Sequence, residues 1–407
     1  MSDFYTESPL EPEDLWFRDD FIDLLWETLR TEHVLLTAPR RTGKTSVMDH
    51  LAAYPQAGYS AISIFVQDID HPAEFLLTLL DAFEAKHPQL FRNIFQTGSE
   101  CIGKLLGQVE KVEIAGFKVA LRQQIPNLHD EWKALGDDDF FAVVRQSKTP
   151  LLFIVDEFPD MILNMKRNHP DLVRPFLAWF RGHCLNPRPK HDSVRWLLGG
   201  SVNLSSTLDA MDSLDLINAL HEERLPVLTS SQVEEFVLSM LAERNVDMDE
   251  GIPREVAQRI GRPVPLFLQM ITQDLYRTSK RESRPLVLND VKIAFGDLIV
   301  SSAARDKLQH YYSRIHQYYD EPKRTAAYAL LAKLSLSPVD LERSTLLQEF
   351  ERIIQSLGIS PADHERKRLF NQLLRDLEND FYVVEASPDQ YDFASGLLKD
   401  WWRKYYA

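Results

Sequence analysis

Only two cysteines occur among the 407 residues, Cys101 and Cys184, with no C-x-x-C pair and no histidines paired at metal-ligand spacing. A disulfide framework and a thiolate zinc site are both excluded, and the two thiols are expected as buried or incidental groups in a reducing compartment. No apolar run approaches the length of about 18 residues that a membrane-spanning helix needs, so no membrane partner is expected. The opening stretch MSDFYTESPLEPEDL is acidic and holds no apolar segment. It does not read as a secretory signal, and the expected location is cytoplasmic. Basic residues are outnumbered: 46 Lys and Arg stand against 61 Asp and Glu, a formal net charge of −15 at pH 7. That balance argues against a surface coated in nucleic acid, while leaving room for a local basic patch. What remains, 44% hydrophobic and 26% charged residues, is the composition of a globular chain long enough for two or three domains.

The most informative stretch runs from His33 to Leu51, HVLLTAPRRTGKTSVMDHL. Val34, Leu35 and Leu36 form a short apolar run of the kind that makes a buried parallel strand. Then come the turn Ala38-Pro39-Arg40-Arg41-Thr42, the run Gly43-Lys44-Thr45-Ser46, and a helical spacing through Val47, Met48 and Leu51. Strand, glycine turn and helix are the parts of a phosphate cradle. Backbone N–H groups point inward, a glycine permits close approach, and the positive end of the helix adds to the field. Lys44 is expected on the outer phosphates and Thr45 on a Mg²⁺ ion. The usual pattern has a glycine where Ala38 stands, which is compatible only with a negative φ at that position. The competing reading is a chance Gly-Lys-Thr in a surface turn.

The second informative stretch is Leu151–Asp160, LLFIVDEFPD. Five apolar residues make a buried strand whose carboxyl end, where ligands bind in open α/β sheets, carries two acids. Asp156 is expected to hold Mg²⁺ through its water shell, and Glu157 to activate the water that attacks the terminal phosphate. An apolar run ending in Asp-Glu is weak evidence alone. Downstream of a phosphate loop it becomes strong.

The remaining chain supplies the frame. Leu15–Leu29 reads as an amphipathic helix, with Phe17-Arg18-Asp19 beside the base of a bound nucleotide or, equally, as a plain packing segment. Tyr59–Gln67, Val194–Leu198 and Arg224–Val227 read as further strands, and Val109–Gln123 as an inserted β-hairpin. After Val194–Leu198, Ser201 is the first candidate and Asn203 the second for contact with the terminal phosphate or its attacking water. Arg224 is a candidate arginine finger or an ordinary ion-pair residue. From Thr229 the pattern is helical, with Ser231 and Glu234 read as a capping box. Arg262 and Pro263, in the link Gly261-Arg262-Pro263-Val264-Pro265, are candidates for phosphate and base contact. Asn289–Tyr319 reads as one long helix, broken by Asp320-Glu321-Pro322. Three helices, an alternating hairpin and a last helix then spell a winged helix, whose third helix offers Arg366, Lys367 and Arg368 to DNA phosphates. Nearby acids oppose that use and leave a protein-packing wing as the alternative. The absence of an Asn-Lys-x-Asp run favours adenine over guanine.

With these residues in hand, the chain resembles the AAA+-related ATPases of the archaeal-ATPase group, near the STAND signalling and origin-recognition initiator ATPases. DLWFRDDFIDLLWETL, LLTAPRRTGKTSVM, LLFIVDEF, LLGGSVN, GRPVPLFL and YDFASGLLKDWWRKYY carry the resemblance. It implies an α/β P-loop NTPase core with a five-stranded parallel sheet in order 5-1-4-3-2, a helical lid and a C-terminal winged helix. The expected domains are residues 1–228, 229–320 and 321–407. ATP and Mg²⁺ are the expected ligands, held by Ala38 to Ser46 with Phe17, Arg18, Arg262 and Pro263. The expected activity is ATP hydrolysis by a switch that works on a protein partner, on itself or on DNA. Two departures from the group bear on ring assembly: Phe17-Arg18-Asp19 stands where Gly-Arg-Glu is common, and no arginine finger is evident.

Overall fold

The computed structural model describes residues 12–38, 41–56, 58–90, 129–185, 194–200, 208 and 214–407. The hairpin expected over 109–123, and Pro39, Arg40, Ser201 and Asn203, lie outside the described residues. The described chain falls into two compact units, one holding residues up to 38 and 44–225, the other 41–43 and 226–407.

The first unit is built on strands β1 (His33–Thr37), β2 (Ser60–Phe65), β3 (Leu151–Asp156), β4 (Val194–Gly200) and β5 (Leu220–Arg224). All pair in parallel, in the order β2-β3-β4-β1-β5. This is the expected 5-1-4-3-2 order read from the other edge. The period of two in a strand explains the layers. Val34 and Leu36 of β1, Leu152 and Ile154 of β3 and Leu197 of β4 share one face with helices α1 (Asp19–Leu29) and α2 (Lys44–Ala53). Leu35, Phe153, Val155, Trp196 and Leu198 point to the other face. There they meet helices α3 (Pro72–Lys86), α4 (Phe158–Asn168) and α5 (Pro170–Phe180) and a mixed helical run through Leu135–Phe140. A strand covered on both faces needs apolar residues at every position, and β3 is buried throughout its six residues. β5 breaks that rule because it is an edge. Its residues His221, Glu222 and Arg224 are exposed, so the strand lies upstream of the apolar 224–227 stretch that its composition favours.

The second unit opens with helices α6 (Ser230–Ala242), α7 (Ile252–Ile260), α8 (Pro265–Glu282), α9 (Leu288–Val300) and α10 (Ser302–Tyr318). The capping box of α6 is Thr229 with Gln232 rather than Ser231 with Glu234: the Thr229 hydroxyl accepts from the Gln232 amide and the Gln232 side chain returns a bond to the Thr229 amide at 2.9 Å. The single helix expected over 289–319 is two, because Ser301 takes an extended backbone (ψ 138°) between α9 and α10. Helices α11 (Lys323–Leu336), α12 (Arg343–Ser356) and α13 (Asp363–Asn379), strands β6 (Leu341–Glu342), β7 (Val383–Ser387) and β8 (Gln390–Phe393), and helix α14 (Gly396–Tyr405) complete a winged helix. Its small sheet runs β6-β8-β7, and Phe350, Phe370, Tyr382, Trp401 and Trp402 fill its core.

One cluster on the β2 side joins a helix cap to buried imidazoles. His71 caps α3, its Nδ1 accepting from the Ala73 amide at 3.1 Å, and its ring stacks on His129 with His169 edge-on. Burial first, and then these two imidazoles, depress its pKa to about 4 against the opposing pull of Asp70 and Asp130. The folded value lies below the unfolded 6.5, so its stabilisation is complete above that pH and is lost as pH falls toward 4. His71→Asn keeps a cap acceptor and removes the titration. The drop in melting temperature between pH 7.5 and pH 5 should therefore be smaller in this variant than in wild type, as read by thermal denaturation.

Candidate functional site

β1 ends at Thr37, and Ala38 is buried against the α1–α2 layer without entering the positive-φ region, as an alanine there requires. Gly43 takes φ 94°, a conformation that suits glycine, immediately before Lys44 begins α2. The first amides of that helix have no intrahelical acceptor, which makes its start an anion-attracting end. Arg41, also at positive φ, donates to the Lys307 carbonyl at 3.2 Å within the second unit.

The Asp156 carboxylate, at the end of β3, gathers three groups. Lys44 Nζ contacts its Oδ1, the Thr45 hydroxyl donates to its Oδ2 at 2.7 Å, and the Glu157 amide donates to Oδ1 at 2.9 Å. Glu157 Oε1 lies 3.9 Å from Lys44 Nζ, so the ammonium faces both acids. Lys44, Asp156 and Glu157 are each at most 9% exposed, a depth at which charges persist only when paired. Glu157 sits in the left-handed region at φ 60°, ψ 35°, ahead of the Pro159 turn into α4. Such a backbone is held against its preference by its surroundings and is characteristic of functional positions.

β4 lies between β1 and β3, and Lys44 reaches Asp156 past its end. Gly199, near that end, leaves no room for a side chain: a Cβ there would stand 2.5 Å from Met48 Sδ and 3.1 Å from Asp156 Oδ1. The sequence reading looked beyond Gly199 to Ser201, and missed that the glycine itself shapes the site. The signal was the Gly-Gly pair ending an otherwise apolar strand.

The other candidates fall differently. Arg18 is buried and its guanidinium pKa is lowered to about 10 by that burial, while Phe17 has φ 56° and its ring meets Trp16. Arg224 closes β5 with an exposed side chain. Arg262 and Pro263 belong to the second unit, the first exposed and the second buried, with the Arg262 amide bonded to the Ala394 carbonyl at 2.9 Å. On α13, Arg366 pairs with Glu351 at 2.9 Å and with Asp363, while Lys367 and Arg368 are exposed.

Chemically, an ammonium, a hydroxyl and a helix start are groups able to take an anion, and two carboxylates are groups able to take a cation or a water. Among the described residues no group of three or more His, Cys, Asp or Glu side chains forms a ready metal cage. A hydroxyl and one carboxylate oxygen 2.7 Å apart suit a hard cation that keeps most of its own waters, as Mg²⁺ does.

No family model and no curated protein sequence matches the chain. Among solved structures, it is similar to a Walker-type ATPase of Pyrococcus abyssi, at 15% identity and a TM-score of 0.59 over 98% of this chain and 99% of that one. It is also similar to the ORC2 protein of Aeropyrum pernix in its ADPNP–ADP complexes, at 14% identity and a TM-score of 0.51 over 96% of this chain and 92% of that one.

Gly199→Ala should destabilise the protein by about 1–3 kcal/mol in urea denaturation, because Met48 and Asp156 must both give way. Gly182→Ala, whose added Cβ meets nothing within 4 Å, is the control and should lose little. Sheet order, the glycine turn into α2 and these likenesses together give the chain the fold of an AAA+ P-loop ATPase.

Proposed function

We propose that the chain binds ATP with Mg²⁺ and hydrolyses it to ADP and phosphate, acting as a nucleotide-driven switch. One observation supports this above the others: Lys44, Thr45, Asp156 and Glu157, from two separate stretches of sequence, meet beyond the carboxyl ends of β1 and β3, two strands of one sheet with β4 between them. In this reading Lys44 and the backbone N–H groups of the Ala38–Ser46 loop, Pro39 having none, take the phosphates, and Phe17 and Arg18 flank the base. Thr45 and Asp156 would hold Mg²⁺. The ion supplies charge neutralisation at the phosphate oxygens. Glu157 orients and deprotonates the attacking water, and Ser201 senses the terminal phosphate.

The pairing of Lys44 with Asp156 has a role in this scheme. Without a triphosphate the two buried charges satisfy one another, and an incoming phosphate replaces the carboxylate as the partner of Lys44. The Asp156 carboxylate, relieved of Lys44, would then be free to hold the cation. Arg262 and Pro263 are proposed as the contribution of the helical bundle to nucleotide binding. Coupling to a partner, whether another protein or a second copy, then runs through the bundle and wing, as in AAA+ and STAND switches.

A second reading, a DNA-acting loader or helper, is favoured by one specific feature: Lys367 and Arg368 stand exposed on the third wing helix, where phosphates are met in winged folds. The test of both is ATP turnover by the purified protein, with and without duplex DNA. Lys44→Ala and Glu157→Gln should each lower turnover by at least about 100-fold. Stimulation by DNA that disappears with Lys367→Ala/Arg368→Ala supports the DNA reading; indifference to DNA supports a protein-directed switch. Equal rates in Glu157→Gln and wild type would overturn hydrolysis and leave an ATP-binding scaffold.

A further inference from the structure

The link between α7 and α8, singled out in the sequence for nucleotide contact, makes its backbone bonds with the wing. The Arg262 amide donates to the Ala394 carbonyl at 2.9 Å, and Gly261 and Ser395 form an antiparallel bridge. Two glycines bring the segments this close. Gly261 has φ +69°, and a Cβ on it would come to 3.4 Å from the Ala394 carbonyl oxygen. At Gly396 a Cβ would stand 2.3 Å from the Arg259 carbonyl oxygen, a backbone atom that has no side-chain freedom to retreat. Ser395 between them is fully buried, and its hydroxyl has no hydrogen-bond partner among the described residues.

The same two parts of the unit are fastened elsewhere. The Tyr382 hydroxyl donates to the Tyr311 carbonyl at 2.6 Å, and the Tyr319 hydroxyl donates to Asp380 at 2.9 Å. Asp380 also faces Arg314 at 3.5 Å, with both side chains almost wholly buried, and α14 packs against α7 and α9. Side chains such as these can slide by a rotamer. A backbone bridge between two glycine-lined strands of chain cannot, because any relative shift breaks its hydrogen bonds at once.

We infer that Gly261, Arg262, Ala394 and Gly396 form a backbone clamp that makes the helical bundle α6–α10 and the winged helix a single mechanical body. The proposal deepens the switch reading and rests on it for its use. A displacement of the bundle on nucleotide binding reaches the surface of the wing undiminished, and a partner bound to the wing acts back on the Arg262 turn with the same coupling energy. The wing is then an output arm, not a tethered accessory domain.

Hydrogen–deuterium exchange on the full-length, nucleotide-free protein tests the clamp without relying on ATP chemistry. In wild type the Arg262 amide should exchange at least about tenfold more slowly than expected for an exposed turn, despite the exposed Arg262 side chain. Gly396→Val should erase that protection and loosen residues 392–398 with it, while the amides of β3 keep wild-type rates. Gly396→Ala, whose single methyl already collides with the Arg259 carbonyl, should show the same loss in weaker form, and serves where valine compromises folding. Free exchange of the Arg262 amide in wild type, or unchanged protection in both variants, would overturn the clamp. ATP turnover is measured on the same preparations: its absence in wild type strikes the switch reading alone, and leaves the clamp to be judged by exchange.

Discussion

The first unit turns on one carboxylate. Asp156 accepts from the amide of its own neighbour, from a hydroxyl and from an ammonium, and those donors arrive from opposite sides of β4. A buried carboxylate without such company is expensive, by several kcal/mol in real proteins. The sheet order, the glycine at the end of β4 and the turn into α2 are arranged so that it has it. Order 5-1-4-3-2 puts β1 and β3 one strand apart rather than side by side. β4 ends between them in a Gly-Gly pair, and at Gly199 a side chain would collide with Met48 and Asp156.

Much of this was legible in the residues. Val34 to Leu36 and Leu151 to Val155 are runs that only a doubly covered strand explains, and the acids after the second run fall where a parallel sheet exposes its ligands. What escaped the sequence escaped for identifiable reasons. β5 is an edge strand, free of the demand for apolar residues, so His221, Glu222 and Glu223 hid it. The cap of α6 lay two residues upstream because threonine and glutamine satisfy the same reciprocal bonds as serine and glutamate. The break at Ser301 leaves the apolar spacing on both sides intact, so periodicity sees one helix where there are two. The packing function of Gly199 depends on Met48, which is distant in sequence, and no local pattern reports it.

The two units use glycine for the same purpose by different means. In the first, a missing side chain lets Met48 and the Asp156 carboxylate lie against a strand. In the second, missing side chains let two stretches of backbone touch. Both places admit one arrangement closely and no continuum of neighbours, and packed contacts of that kind move between discrete states instead of flexing. The strained φ of Glu157 belongs to the same design, since the residue is held where its surroundings require it and not where its own backbone prefers.

The outer strand of the sheet has a further consequence. β5 pairs with β1 on one side, and three of its five residues, His221, Glu222 and Arg224, stand exposed. Glu222 and Glu223 are drawn back onto Thr37 and Thr28 at 3.2 and 3.3 Å, which keeps acidic groups along the rim. A strand from another molecule laid against that rim would have to find opposite charges in register or bury acids unpaired. At this edge, addition of a further strand through its backbone is disfavoured by the charges it would have to bury.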